Sequence, residues 1–239
     1  MKKFLICLVA IAVVAAIALL SVQGYAGSSG WRWPRWRLYD NFDYPDPNRW
    51  NVIGYPDVAD ISIEDGRAKF VHNEGKANQS SFLTFKMDPY KLSKIKGVRV
   101  TVTVEDCTPV PAPGNDVRAR IGGYVGKLED KYVFDQLAVQ GGLGRIFGGL
   151  SASTDFSTWD ELFWARFEEP IEIIGNTFTI TMIFSNSCVT YQATGLGTIT
   201  LSLPRRMSPT DNYLMGIGTR STSGVGSCTV YFDDVYILY

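Results

Sequence analysis

Few residues in this chain could carry out acid-base or metal chemistry. His72 is the only histidine, and it directly follows the apolar pair Phe70 and Val71. We expect it at the surface or as a satisfied residue at a strand edge rather than as a base. With His72 in such a role, no other histidine is left for a serine or cysteine triad, and a single histidine argues against a structural zinc site. Any catalysis would have to use other side chains.

Planar polar and aromatic side chains recur on alternate positions of two predicted strands, residues 117–125 and 132–140. Sugars are held by aromatic faces together with planar polar groups, so the outward residues of these strands and two nearby tryptophans form a candidate ligand-binding set. The alternative for each is a solvated sheet face or a core tryptophan. The set consists of Arg118, Arg120, Tyr124, Tyr132, Gln136, Gln140, Trp159 and Trp164.

The elements that must position these side chains are strands. Residues 98–105 alternate valine with polar residues, and residues 177–184 repeat the pattern with larger apolar side chains. Residues 158–167 are the one interruption, where Trp159, Leu162, Phe163 and Phe167 would line one face of a short helix. Many short strands with one polar face each predict an all-β, two-sheet antiparallel sandwich with at most one short helix.

The last strand changes parity near its middle. Val230 and Phe232 share one parity, whereas Val235 and Ile237 share the other. A β-bulge at Asp233-Asp234 would let all four apolar side chains reach the core.

Two motifs at the ends of the region after about residue 37 resemble those of a known superfamily. The first is Leu38-Tyr39-Asp40-Asn41-Phe42-Asp43, followed by Trp50. The second is the closing run Val230-Tyr231-Phe232-Asp233-Asp234-Val235. Together they resemble the concanavalin A-like lectin/glucanase superfamily. The resemblance implies a jelly-roll sandwich and a polysaccharide or other glycan as partner, but the motifs are packing and turn signals rather than catalytic ones.

The enzymes of that superfamily use catalytic motifs that this chain lacks. Its retaining glucanases use a Glu-x-Asp-x-x-Glu strand, and no such run is present. Jelly-roll polysaccharide lyases combine an Arg-rich strand with a Gln-x-His strand; Arg118 and Arg120 resemble the first, but no Gln stands two residues before His72. The resemblance therefore implies a non-catalytic, lectin-like carbohydrate-binding domain. A divergent glycoside hydrolase or polysaccharide lyase and a structural or adhesive envelope protein are the alternatives.

The resemblance also brings the two ends of the domain together, and with them four aspartates. Ca²⁺ takes six or more oxygen ligands, so Asp40, Asp43, Asp233 and Asp234 are a candidate structural calcium site. In the alternative, these carboxylates accept hydrogen bonds from turn and bulge amides, since no Asp-x-Asp-x-Asp loop is present. No other cofactor is predicted.

The N-terminus predicts export. Lys2 and Lys3 precede a 17-residue apolar run, and Gly24 and Ala26 fit a signal-peptidase site. We expect residues 1–26 to be a cleaved signal peptide, 27–37 a Trp/Arg-rich extension and 38–239 the jelly-roll domain, in a secreted or periplasmic protein. The alternative is an uncleaved membrane anchor, because about 17 residues is the lower limit for a spanning helix.

The net charge and the Trp/Arg-rich extension do not identify a binding partner. The 23 basic and 24 acidic residues nearly balance, which gives no electrostatic case for nucleic acid. The extension holds three Trp and three Arg in residues 31–37; it would sit at a membrane interface, on an anionic polymer, or packed on the sandwich.

Three cysteines remain after signal removal, so at most one internal bridge can form. Cys107 follows the strand at 98–105 and Cys228 opens the closing strand, so they would meet if those strands are antiparallel neighbours. We favour Cys107 with Cys228, and Cys188 with Cys228 is the alternative if the strand neighbours differ.

Overall fold

The computed structural model describes residues 35–108, 115–156, 158–167, 171–203, 205–210 and 212–239. The predicted signal peptide and residues 27–34 of the extension lie outside the described residues. Within the described part of the chain, no helix is long and apolar enough to cross a membrane.

Strands make up most of the described chain. They are joined by turns, one four-residue α-helix, α1 (Pro89–Leu92), and one 3-10 helix (Gly141–Leu143). The strands are β1 (Trp36–Asp40), β2 (Trp50–Ile53), β3 (Ala59–Glu64), β4 (Arg67–His72), β5 (Ser80–Phe85), β6 (Gly97–Thr108), β7 (Arg118–Leu128), β8 (Lys131–Gln140), β9 (Arg145–Ser153), β10 (Asp160–Arg166), β11 (Thr177–Phe184), β12 (Cys188–Ala193), β13 (Gly197–Ser202), β14 (Leu214–Arg220) and β15 (Ser227–Leu238).

These strands form two antiparallel sheets. The eight-stranded sheet has the order β13-β12-β11-β6-β15-β4-β3, with β1 also pairing with β15. The seven-stranded sheet has the order β10-β9-β8-β7-β14-β5-β2. The two-sheet antiparallel jelly-roll sandwich predicted from the sequence is confirmed, and neighbours such as β14 and β5 are far apart in sequence.

The hydrophobic core lies between the sheets. On β6, Val98, Val100, Val102 and Val104 are each at most 1% exposed, as their alternation predicts. The inward-facing side chains of the seven-stranded sheet join the same hydrophobic core, including Ile121 of β7 and Leu137 of β8. Burying each such side chain stabilises the fold by about 1.5–3 kcal/mol, so the opposite parity of β7 and β8 is left to face outward.

The parity change in the closing strand is confirmed as a bulge. Asp233 pairs with Thr101 and Tyr236 with Arg99 on β6, so β15 has one extra residue between them. Asp234 takes up the extra residue with a positive φ of 49°. Val235 and Ile237 consequently point inward and are 0% and 3% exposed.

The predicted helix at residues 158–167 was wrong. Residues 160–166 form β10, which pairs with β9 along the edge of the seven-stranded sheet. The register shifts between Glu161 and Phe163, and this irregularity breaks the alternation that normally marks a strand.

The structure joins Cys107 to Cys228 in a disulfide, which is the pairing favoured from the sequence. The two residues face each other directly in the ladder between β6 and β15, with Cα atoms 4.1 Å apart. Cys188 is the free cysteine of this region and is half-buried.

Candidate functional site: the outer face of the seven-stranded sheet

Strand pairing arranges the outward residues of the seven-stranded sheet in rows, and we call this surface the outer face. Arg118 of β7 is paired with Arg220 of β14, and two residues further along Arg120 is paired with Gly218. Gly122 then faces Gln136 of β8, and Tyr124 faces Phe134. The outer face thus changes along β7 from arginine, through glycine, to aromatic side chains.

Arg120 is buried at the centre of the arginine end. It is 2% exposed and donates hydrogen bonds to Gln136 Oε1 at 3.0 Å and Ser80 Oγ at 2.9 Å. Its guanidinium lies 4.5 Å from the ring centre of Phe82 and 5.2 Å from that of Phe134. Burial, and then the charges of Arg220 and Arg118, lower the pKa of Arg120. Two aromatic faces and two neutral acceptors therefore stabilise this cation.

Arg118 and Arg220 lie beside it, nearer to solvent. Arg118 is 8% exposed, donates a hydrogen bond to Thr222 Oγ1 and lies 5.7 Å from the Phe147 ring centre. Arg220 is half-buried. The nearest acid, Asp116, accepts hydrogen bonds from Ser221 Oγ at 2.7 Å and the Thr222 amide at 2.9 Å. Its carboxylate is therefore engaged by the loop after β14 rather than by either guanidinium.

An aromatic cluster occupies the other end of the outer face. Tyr124 lies 5.4 Å from Phe134, 5.3 Å from Phe156 and 6.0 Å from Trp159, ring centre to ring centre. Tyr132 stacks on Phe156 at 4.5 Å. Phe156 is 43% exposed and the other four rings are half-buried. The cluster offers large apolar faces to solvent at a position held by edge-to-face packing.

Trp164 forms a second aromatic surface near the edge of the sheet. It is 39% exposed and its ring lies 4.8 Å from that of Phe147. It stands opposite Gly149 of β9, where an added Cβ would lie 3.2 Å from Trp164 Cε3. The glycine thus leaves room for the indole to lie across the neighbouring strand.

The two predicted glutamines are mostly used by the protein itself. Gln136 and Gln140 are each 6% exposed. Gln136 accepts from Arg120, and Gln140 Nε2 donates to the Asp116 carbonyl oxygen at 2.9 Å. They orient neighbouring groups and expose little surface.

All eight residues proposed from the sequence lie on or against the outer face, in three places. Arg118, Arg120 and Gln140 lie at one end, with Gln136 next to them. Tyr124, Tyr132 and Trp159 belong to the aromatic cluster, and Trp164 lies near the edge on β10.

Sequence reasoning missed three further residues of this face. Phe134 shares the parity of Tyr132 and Gln136, so alternation alone could have found it. Arg220 lies at the end of β14 and shares the outward parity of Gly216 and Gly218, so the glycines give no sign of an outward row there. Phe156 lies in a turn and carries no periodic signal.

Carboxylates are nearly absent from this surface. Within β5, β7, β8, β9 and β14, Asp135 is the only acidic residue, and it has inward parity. Its Oδ1 accepts a hydrogen bond from the Tyr191 hydroxyl at 2.6 Å, and burial raises the pKa of Asp135 to about 7. Glu161, exposed on the edge strand β10, is the outward carboxylate nearest to Trp164 along the chain.

His72 lies in the core, so the surface position expected from the sequence was wrong. It is 0% exposed, because the parity of β4 that buries Phe70 also turns His72 inward. Its Nδ1 lies 3.0 Å from Thr219 Oγ1 of the opposite sheet. Burial lowers the pKa of His72 to about 4, so it is neutral at pH 7 and cannot reach a ligand on the outer face.

The four aspartates of the candidate calcium site make local hydrogen bonds. Asp40 is 2% exposed and accepts from Trp50 Nε1 at 2.7 Å and the Phe42 amide at 3.0 Å. Asp43 accepts from Asn41, and Asp233 accepts from the Asp234 amide at 2.7 Å. In the described ranges, no group of three or more His, Cys, Asp or Glu residues is placed to hold a metal ion. These contacts are those of the alternative, in which the carboxylates satisfy turn and bulge amides, and the calcium site stays a prediction.

Comparison with known proteins shows similarity in structure but not in sequence. No protein-family model and no curated protein matches the sequence. The chain is similar in structure to a κ-carrageenase from Pseudoalteromonas carrageenovora in complex with an oligotetrasaccharide of κ-carrageenan (TM-score 0.57, 10% identity, 91% of this chain and 99% of that chain covered). It is also similar to an apo Crh5 transglycosylase (0.55, 14%, 84% and 83%). A third similar structure is a glycoside hydrolase family 16 endo-glucanase from Bacteroides ovatus (0.53, 10%, 84% and 98%). These similarities show that the chain has the concanavalin A-like jelly-roll fold.

Proposed function

We propose that this chain binds a polysaccharide on the outer face of its seven-stranded sheet and does not cleave it. One observation carries the proposal: the half-exposed aromatic cluster and the exposed Trp164 share a face with buried, oriented arginine and glutamine side chains. Aromatic faces provide stacking surface for sugar rings. Among the planar polar groups, the half-buried Arg220 is the most open to a ligand, since the others are each at most 8% exposed. The solved structures of this fold reported above, which include a carrageenase with a bound oligosaccharide, support a carbohydrate ligand.

The lack of acidic residues supports binding without turnover. Glycoside hydrolysis needs two carboxyl groups facing the same bond, about 5 Å apart for retention and about 6.5–9.5 Å apart for inversion. The central strands of the outer face carry no outward Asp or Glu, and their only acid, Asp135, is hydrogen-bonded to Tyr191 in the core.

A divergent glycan-active enzyme is the second candidate. Two observations favour it: the similar structures named above are a carrageenase, a transglycosylase and an endo-glucanase, and Glu161 is an exposed carboxylate on the strand that carries Trp164. If its catalysis used Glu161 as one of the two carboxyl groups, one substitution would separate the two candidates.

A polysaccharide panel read by both pull-down and reducing-end release tests the proposal. We expect binding without release, and Trp164→Ala should weaken binding at least about fivefold, because an aromatic contact is worth about 0.5–1.5 kcal/mol beyond its buried area. Tyr236→Ala is the matched control, since Tyr236 is a half-buried aromatic residue on β15 in the other sheet and its loss should leave binding unchanged. Sugar release that Glu161→Gln abolishes would replace the proposal with the enzyme. No binding to any glycan would favour a structural or adhesive role.

We also propose that the mature chain is exported and begins at Gly27. The charged start, the apolar run and the Gly24/Ala26 site support this, and the Cys107 to Cys228 disulfide fits an oxidising compartment. N-terminal sequencing of the exported product tests it. Retention of Met1 in the membrane fraction would replace the secreted protein with an anchored one.

A further inference from the structure

We infer that the outer face selects glycans carrying an anionic substituent, a carboxylate or a sulfate group, which binds between Arg118 and Arg220. The inference rests on the proposed function and names the class of glycan. Arg118 and Arg220 are directly paired neighbours on β7 and β14 and share one parity. Like charges directly opposite each other destabilise a sheet, and an anion bound between the two side chains would offset that repulsion.

The hydrogen-bonding capacity of the two guanidinium groups is largely unused. Each arginine carries five N–H donors. Arg118 donates to Thr222, but its Nε is buried and has no partner. In the parts of the chain that the structure describes, the Arg220 guanidinium makes no hydrogen bond or ion pair. A carboxylate or sulfate accepts several such bonds in the forked geometry that guanidinium offers.

The protein supplies only part of the compensating charge, because Asp116 acts on both arginines and Glu161 acts on Arg118. Asp116 is the nearest acid, and its two carboxylate oxygens accept bonds from Ser221, Thr222 and Ser223 in the loop after β14. Arg120 adds a third positive charge two residues from Arg118. It cannot bind the anion itself, because it is 2% exposed beneath Phe82 and Phe134. Three cations facing two acids, Asp116 and Glu161, leave an excess of positive charge at this end of the outer face.

The distance between the arginine pair and the aromatic cluster indicates a polymer rather than a small anion. Arg118 and Tyr124 are six residues apart on β7, which is about 20 Å along a strand. The glycine row with Gly122 lies between them. An extended chain can contact both ends at once, and the ligand that fits the whole face is a polysaccharide with charged substituents.

Matched pairs of polymers test the inference directly. One pair is a sulfated galactan and its desulfated form, and the other is a polyuronate and its carboxyl-reduced form, each titrated by calorimetry at fixed ionic strength. We expect one anionic member to bind at least about tenfold more tightly than its neutral partner. The pair that shows the preference identifies the group as sulfate or carboxylate.

Substitution at Arg220 tests whether the preference arises at the arginine pair. Arg220→Gln should weaken binding of the anionic polymer about tenfold and so remove most of the preference, since bonds to charged groups are worth about 1.5–3 kcal/mol. Arg220→Lys should keep part of it. Arg99→Gln is the control, because Arg99 lies on β6 of the other sheet over Trp36. Loss of Arg220 removes no protein hydrogen bond, so the variant should melt at or above the wild-type temperature, which separates lost binding from lost folding.

The outcomes distinguish the two proposals. Equal binding of both members of each pair, unchanged in Arg220→Gln, overturns the anionic selectivity and leaves glycan binding in place. An equal loss in Arg99→Gln and Arg220→Gln shows diffuse charge attraction and overturns the arginine-pair site. No binding to any of the four polymers overturns the selectivity and, with a negative result on the wider panel, the proposed function itself.

Discussion

The disulfide between Cys107 and Cys228 should be a large single contribution to the stability of this fold. It joins β6 to β15, which pair along most of their length in the interior of the eight-stranded sheet. The sequence separation of the two cysteines is 121 residues. In the chain-entropy model, a loop of that size restricts the unfolded chain by about 5 kcal/mol at 25 °C. The double variant Cys107→Ala/Cys228→Ala should therefore lose about 4–5 kcal/mol of unfolding free energy.

Urea denaturation measures this loss. Wild type under oxidising conditions, wild type with a reductant and the double variant are compared, and the last two should unfold at similar, lower urea concentrations. Cys188→Ala is the matched control, because Cys188 is the free, half-buried cysteine. Its effect should stay within about 0.5 kcal/mol, as for an ordinary surface change.

A small difference would refute the reasoning. If the double variant loses less than about 1 kcal/mol, then closing the loop does not restrict the unfolded chain as the model requires. That result would mean that β6 and β15 remain associated in the denatured ensemble without the bond. An equal loss in Cys188→Ala would place the effect outside the bridge.

Three further predictions concern buried and strained positions. Burial raises the pKa of Asp135 to about 7, so its contribution to stability is full below about pH 4 and is lost as pH rises to 7. In Asp135→Asn, unfolding free energies measured at pH 4.5, 6.5 and 8 should no longer show this loss. Burial lowers the pKa of His72 to about 4, so its contribution is full above about pH 6.5 and is lost on acidification towards pH 4. In wild type, the two pH dependences of the unfolding free energy oppose each other. Between pH 6.5 and pH 4.5, Asp135→Asn should lose stability because only the His72 effect remains, and His72→Asn should gain stability because only the Asp135 effect remains. Parallel profiles of the two variants would contradict both assignments. Gly66→Ala should cost about 1–2 kcal/mol in urea denaturation, because Gly66 has a φ of 71° in the turn between β3 and β4 and a Cβ there would lie 2.9 Å from Asp43 Oδ1; an unchanged midpoint would show that the turn relaxes.

The sequence by itself determined the features that follow from local periodicity. Alternating valines at 98 to 104 predict a strand with one buried face, and the parity change after Phe232 predicts the bulge. The same period of two placed Arg118, Arg120 and Tyr124 on one outward row. These predictions succeed because a strand's own residues decide which face is buried, whichever strand lies next to it.

Only the tertiary structure decided the features that depend on which strands are neighbours. Arg118 meets Arg220 because β7 pairs with β14 across about a hundred residues of chain. The parity of β4 turns His72 inward, and only the opposite sheet supplies Thr219 as its partner. Residues 160–166 form a strand because β9 offers an edge. Pairing of distant strands is set by the packing of the whole core and the register of each ladder. Arg118 and Arg220, like His72 and Thr219, lie more than a hundred residues apart, so these contacts carry no local signal.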